Sequence, residues 1–178
     1  MGTECFLSLI IPAYNEEKRL PECIEKLAGF IPSRKEKIEV LLIENGSTDN
    51  TYSMALDYQK SFPWLTVLHE EKPGKGNAIR RGMLTAHGRY RMFADIDFAM
   101  PIEEVNKFIP PELDHFDVAI ASRVAEGSVQ KNKAPIRHYH LPSNLYRKRP
   151  GILLPDIPFS LPRILRRSRI ATVKRGQE

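Results

Sequence analysis

The sequence predicts an α/β fold: a mostly parallel sheet flanked by helices. Over the first two thirds of the 178 residues, short apolar runs alternate with longer amphipathic ones, which is typical of strands wound with helices around a parallel sheet. The apolar content of 42% is enough for one hydrophobic core. We therefore expect a single α/β domain with an appendage.

Five apolar runs are predicted to be strands, at residues 6–11, 38–44, 65–69, 90–95 and 117–122. The segments between them carry helical periodicity or capping residues and predict helices at 17–29, 48–60 and 76–86. A further short helix is expected after Pro101. The alternation stops at about residue 124, where prolines and basic clusters begin to interrupt the chain.

The charge of the chain is divided unevenly. Residues 1–136 hold 17 basic and 20 acidic side chains, whereas residues 137–178 hold 10 and 2. We interpret residues 1–137 as the folded domain and residues 138–178 as an irregular or disordered tail rich in proline and arginine. A basic tail suits an anionic membrane surface. A solvated tail without a partner is an equal alternative, and nucleic acid is disfavoured because no recognised module is present.

Targeting signals are not visible in the sequence. No apolar run approaches the roughly 20 residues that cross a bilayer, and the first residues lack a basic region followed by an apolar one. Cys5 and Cys23 have neither metal-binding nor redox spacing. We expect a cytoplasmic protein with no transmembrane segment or signal peptide, held peripherally at the membrane face if the tail docks there.

Three polar loops follow predicted strands, at residues 12–17, 44–51 and 94–101. The carboxyl ends of parallel strands meet at one edge, where open α/β sheets bind ligands. Together these loops could hold a ribose, a base edge and a metal-bound diphosphate. A fourth loop brings Gly74 and Gly76 for close backbone approach and Lys75 for positive charge. Each loop taken singly also reads as an ordinary turn or helix cap.

Asp95 and Asp97 form a closely spaced pair of carboxylates. Two such charges repel each other, so the pair needs a cation, hydrogen-bond donors or solvent to stay ionised. Hard oxygen ligands at a strand end suit Mg²⁺ or Mn²⁺, and such a metal commonly bridges to phosphate oxygens. A solvated turn is the alternative.

The order of these segments is more specific than any one of them. SLIIPAYNEEKRL, VLLIENGSTDNT, KPGKGNAIRRGM, YRMFADIDFAMP and DVAIASR together resemble the family 2 glycosyltransferases of the GT-A fold. The resemblance is closest to the dolichyl- and polyprenyl-phosphate glucosyl- and mannosyltransferases. It covers residues 6 to about 137, and the C-terminal part of the family is missing or divergent. Nucleotidyltransferases fit less well because their glycine-rich basic loop would follow the first strand.

This resemblance implies a set of site residues. Asp95 and Asp97 match the Asp-x-Asp motif and are expected to be catalytic and to hold the metal. Arg123 matches a catalytic arginine, and Arg123 with Arg137 is expected near the acceptor phosphate. The residues expected at the nucleotide are Pro12, Ala13, Tyr14, Glu16, Glu44, Asn45, Gly46, Gly74 and Lys75. Glu44 and Asn45 depart from the family, which usually has two aspartates before Gly-Ser.

The implied reaction is inverting transfer of a hexose from a nucleotide sugar to a polyprenyl or dolichyl phosphate, with Mg²⁺ or Mn²⁺ as cofactor. The resemblance favours UDP-glucose, with GDP-mannose as the second donor. An acceptor phosphate is already anionic, so no strong general base is required. One alternative is a truncated, catalytically inactive donor-binding protein. Another is a protein that binds anionic lipid or nucleic acid through its basic tail.

Overall fold

The computed structural model describes residues 4–112, 118–122, 144–147 and 170–174. The strands are β1 (Leu7–Ala13), β2 (Ile38–Glu44), β3 (Leu65–His69), β4 (Tyr90–Phe93), β5 (Val118–Ser122), β6 (Asn144–Arg147) and β7 (Ile170–Lys174). The helices are α1 (Leu20–Phe30), α2 (Thr51–Ser61) and α3 (Lys75–Thr85), with 3₁₀ helices at Ile31–Ser33 and Ile102–Phe108. Among these residues, no helix has the length and apolar character needed to cross a membrane.

The described strands form one sheet in the order β3-β2-β1-β4-β6-β5-β7. Within the group β3, β2, β1 and β4, adjacent strands run parallel to one another, and β7 runs parallel to β5. Strand β6 is antiparallel to both β4 and β5. The parallel half carries the polar loops, because all four of its strands end at the same edge.

Both faces of the parallel half are covered, which explains its nearly continuous apolar strands. Alternate residues of β1 point to opposite faces. Leu7, Leu9 and Ile11 join the core beneath α1, α2 and the 3₁₀ helix Ile102–Phe108. Ile10 lies on the other face and packs with residues of α3. Helices therefore cover both faces of the parallel half of the sheet.

The expected α/β fold of the GT-A type is confirmed, with element boundaries close to those predicted. The fourth strand ends at Phe93 rather than at residue 95. The third helix ends at Thr85 and the chain then leads into β4. Residues 138–178, expected to be irregular, contribute β6 and β7 to the sheet. These strands have only four and five residues, so prolines and basic clusters can flank them.

Candidate active site

Four loops meet at one edge of the sheet. Ala13, Glu44 and His69 lie side by side in the register of β1, β2 and β3. Phe93 ends β4 next to β1, and the amide of Ala94 still donates to the carbonyl of Ile10 at 3.0 Å. The chain segments that follow these strand ends therefore surround one polar region, as the sequence predicts.

The first two loops are joined by reciprocal hydrogen bonds. The Asn15 amide donates to Oγ of Ser47 at 3.1 Å, and the Thr48 amide donates to Oδ1 of Asn15 at 2.8 Å. Asn15 has a φ of 53°, a left-handed conformation that asparagine tolerates better than most residues. Both the backbone and the side chain of Asn15 therefore connect the first loop to the second.

The same two loops are bonded again further along the chain. The Glu16 amide donates to Oγ1 of Thr51 at 2.8 Å. The Glu17 amide donates to Oδ2 of Asp49 at 3.2 Å, and Oε2 of Glu17 accepts from the Asn50 amide at 3.1 Å. The first and second loops are therefore held against each other by hydrogen bonds within the protein.

Glu44 lies buried beneath the second loop, with 1% of its surface exposed. Its Oε1 accepts the amide hydrogen of Ser47, and its Oε2 lies 2.5 Å from Nδ1 of His69. Burial alone would raise the pKa of Glu44, but the bonds from Ser47 and His69 outweigh it and hold the pKa below its ordinary value. Since a carboxylate only accepts, Nδ1 of His69 carries the proton.

The Glu44 carboxylate is expected to make stability depend on acid pH. The pKa of Glu44 is lower in the folded protein than in the unfolded chain, so the ionised carboxylate stabilises the fold at pH values above its unfolded pKa. This stabilisation is lost as the pH falls through the pKa that Glu44 has in the folded protein. The Glu44→Gln substitution should therefore reduce the free energy of unfolding more at pH 7 than at about pH 3. Urea unfolding at both pH values measures the difference, and an equal reduction at the two values would contradict the prediction.

Asn45 is also buried, with 5% of its surface exposed. Its Nδ2 donates to the carbonyls of Glu70 at 3.0 Å and Lys72 at 2.8 Å, and its Oδ1 accepts from the Gly74 amide at 2.7 Å. Asn45, expected at the nucleotide, therefore directs both polar atoms of its side chain to the neighbouring loop.

The spacing of the two aspartates follows from alternation. After Ala94, the side chains of Ile96 and Phe98 are buried in the core, whereas Asp95 is half-buried and Asp97 is exposed. A turn follows, in which the Phe98 amide donates to the Asp95 carbonyl at 3.0 Å. The apolar residues anchor the loop, and the two carboxylates face outward two residues apart.

One of the two aspartates, Asp95, contacts a basic side chain. Nζ of Lys75 contacts Oδ1 of Asp95. The pKa of Arg19 is raised, first by its hydrogen bond to Glu16 and to a smaller extent by the charge of Asp97. Asp95 therefore has a basic partner in Lys75, whereas the Arg19 guanidinium bonds Glu16, at 2.9 Å.

The residues at this edge fit a divalent cation that is shared with a ligand. The described residues contain no cluster of three or more His, Cys, Asp or Glu side chains arranged to hold a metal. Proteins nevertheless often supply only one or two carboxylate ligands to Mg²⁺, and phosphate oxygens of the substrate and water complete its coordination. The Lys75 ammonium balances the charge of one of these carboxylates, Asp95.

The remaining expected residues are placed as follows. Pro12 and Ala13 end β1, and Tyr14 beyond them is 58% exposed. Gly46 has a φ of 74°. Lys75 begins α3 directly after Gly74. Arg123 and Arg137 lie outside the described residues, so their roles stay predictions, as do the ligand contacts of the other residues.

Three residues at this edge were not identified from the sequence: Arg19, Tyr52 and His69. The ring of Tyr52 lies 5.6 Å from that of His69, and 39% of Tyr52 is exposed. The sequence offered only positional hints for two of them: Arg19 lies three residues after Glu16, and His69 ends a predicted strand. Neither signal identifies a partner.

The chain is similar to known dolichyl-phosphate β-glucosyltransferases. The enzyme of Drosophila melanogaster is 38% identical over 131 residues, which cover 66% of this chain and 40% of that protein. The enzyme of Saccharomyces cerevisiae is 32% identical over 113 residues, covering 60% and 34%. The chain thus spans about two fifths or less of the length of these relatives.

Solved structures share the fold. The structure of residues 1–349 of TarS from S. aureus has a TM-score of 0.55 at 23% identity and covers 80% of this chain and 47% of that one. The mannosyltransferase PcManGT from Pyrobaculum calidifontis, solved with GDP-Man and Mn²⁺, has a TM-score of 0.55 at 17% identity, with coverages of 82% and 45%.

The family match is broader than these pairwise similarities. Residues 8–168 match the family described as Glycosyl transferase family 2. The match includes the four loops of the candidate site and extends beyond residue 137, where the motif resemblance ends. With most of its length matched and the sheet of this fold in place, the chain belongs to glycosyl transferase family 2.

Proposed function

We propose that this protein transfers a hexose from a nucleotide sugar to a polyprenyl or dolichyl phosphate, with UDP-glucose as the favoured donor. The single observation that carries the donor site is the convergence of an exposed Tyr14, a basic Lys75 and the Asp95/Asp97 pair at one edge of the sheet. The choice of acceptor and sugar rests on the dolichyl-phosphate β-glucosyltransferases to which the chain is similar.

The donor would lie across the loop edge. Tyr14 offers a ring face for stacking on the base. Lys75 leads into the N-terminus of α3, where backbone amides and a positive side chain together favour phosphate. Asp95 and Asp97 would hold Mg²⁺ or Mn²⁺, which supplies positive charge to the departing diphosphate when bound.

Lys75 has two roles on this proposal. In the free protein its ammonium balances the charge of Asp95. With a donor and its cation bound at Asp95 and Asp97, Lys75 would be free of Asp95 and available to the phosphate oxygens. The exchange keeps a positive charge at each anionic group throughout binding.

The acceptor is proposed to be a lipid phosphate, with Arg123 and Arg137 binding its phosphate group. A phosphate oxygen attacks the anomeric carbon from the face opposite the leaving diphosphate, which inverts the configuration. The basic C-terminal segment suits attachment to the anionic surface in which such an acceptor resides.

Calorimetric titration of the protein with UDP-glucose and GDP-mannose, each with and without Mn²⁺, tests donor binding and selectivity. A transfer assay to a short polyprenyl phosphate then tests the reaction. We expect Mn²⁺-dependent binding of UDP-glucose followed by transfer. Binding without transfer would replace the proposal with a donor-binding protein, and absence of binding would reject both.

A further inference from the structure

We propose that Asn45 is a positioning residue that holds the segment of residues 70–75 so that Lys75 is presented to the donor diphosphate. This inference rests on the proposed function for the identity of the ligand. It gives Asn45 a role different from ligand contact, and it accounts for an asparagine where the resembled family usually has an aspartate.

The bonding of Asn45 requires an amide. Its Nδ2 donates two hydrogens, to the carbonyls of Glu70 and Lys72, while its Oδ1 accepts from the Gly74 amide. An amide carries two donors and an acceptor on one planar group, whereas a carboxylate only accepts. An ionised aspartate at this position would face two carbonyl oxygens without a hydrogen to give them.

The 70–75 segment depends on these bonds because it lies between β3 and α3 without regular structure until Lys75. Gly74 has a φ of 115°, a backbone conformation that residues other than glycine rarely adopt. Three backbone groups of the segment bond to the one Asn45 side chain. Asn45 therefore makes three of the hydrogen bonds that set the path of the chain up to Lys75.

The position of Lys75 follows from that path. It is the next residue after Gly74 and contacts Asp95 across the site. Placement errors of about 1 Å can cost large factors in binding or rate when they affect a charged group at a reacting centre. Loss of the Asn45 hydrogen bonds should therefore displace Lys75 and thereby weaken its interaction with the bound ligand.

A double-mutant cycle tests this path. UDP affinity is measured by calorimetry in Mn²⁺ for the unmodified protein, Asn45→Ala, Lys75→Met and the double variant. We expect each single substitution to weaken UDP binding roughly tenfold and the double variant to be little weaker than Lys75→Met alone. Losses that multiply in the double variant would overturn the proposal.

The Asn45→Asp substitution provides a second test, since it introduces the residue usual in the family. We expect it to weaken UDP binding at least as much as Asn45→Ala. Tighter binding would mean that position 45 faces the ligand and would overturn the proposal. If the alanine variant does not fold, Asn45→Ser replaces it in the cycle, because one hydroxyl cannot make all three bonds.

A ligand-free measurement separates this inference from the proposed function. Hydrogen exchange of the Gly74 amide should be roughly tenfold faster in Asn45→Ala. The exchange rate at Gly74 should be unchanged in Asn50→Ala, because the side-chain amide of Asn50 donates to Glu17 and not to the 70–75 segment. Failure of the unmodified protein to bind UDP would reject the proposed function alone, whereas unchanged exchange at Gly74 would reject the positioning role.

Discussion

The Asp97→Asn substitution is expected to weaken Mn²⁺-dependent binding of UDP-glucose by at least about 100-fold, since even the outer partners of metal ligands cost about 10- to 100-fold when removed. The substitution removes one negative charge and one hard anionic ligand from the pair. The fold should persist, because Asp97 is exposed and its one hydrogen bond among the described residues is from the Ala99 amide to Oδ1, at 3.0 Å, which an asparagine oxygen can also accept.

Calorimetry with and without Mn²⁺ measures this effect, and urea unfolding checks the fold. Asp57→Asn is a matched control, because Asp57 is an exposed aspartate on α2 that pairs with Lys60. The control should leave donor binding and its Mn²⁺ dependence unchanged. Equal Mn²⁺-dependent affinity in Asp97→Asn and the unmodified protein would remove Asp97 from the proposed metal site.

The Gly88→Ala substitution is expected to destabilise the protein by about 3 kcal/mol, at the upper end of the usual cost of overpacking. A Cβ at this buried position would lie 2.5 Å from Oγ of Ser8, 2.6 Å from the Ser8 nitrogen and 2.7 Å from the Tyr90 carbonyl oxygen. Two of these atoms belong to the backbone of β1 and β4, so no side-chain rotation relieves the clash.

The same substitution at Gly29 should have the opposite effect. A Cβ there would meet nothing within 4 Å, and Gly29 lies exposed in α1. Alanine in a helix should raise the free energy of unfolding by up to about 1 kcal/mol. Urea unfolding of both variants gives the comparison, and an equal loss in both would refute the steric explanation for Gly88.

Gly88 also illustrates what the sequence could indicate and what it could not. Glycine is common just beyond helix ends, but α3 already ends at Thr85 with Ala86 as its cap, so Gly88 does not serve as the cap. The reason for glycine is the close approach of β1 and β4. That approach joins residues far apart in the sequence, so local propensity contains no information about it.

The aspartate pair was predictable for the converse reason. Period-two alternation is a local pattern, and burial of Ile96 and Phe98 leaves Asp95 and Asp97 outside. The convergence of the loops was equally predictable, because parallel strands place their carboxyl ends together. These features depend on neighbours in sequence or on fold class.

Side-chain direction in the second loop was not predictable. Glu44 and Asn45 looked like ligand-binding residues, but their partners include His69 and Gly74, which are 25 and 29 residues away. A polar residue beside a site can bind the ligand or the protein, and composition does not distinguish the two. The contact of Lys75 with Asp95 was likewise set by the tertiary structure.

The place of β6 in the sheet has a consequence for the order in which the chain can assemble. During synthesis, β1 to β4 leave the ribosome before Asn144–Arg147, the strand that lies between β4 and β5. Until then none of the described strands covers the outer edge of β4, and such an edge can pair with another chain. Nascent chains halted before residue 144 should therefore be more prone to aggregation than chains that have passed it.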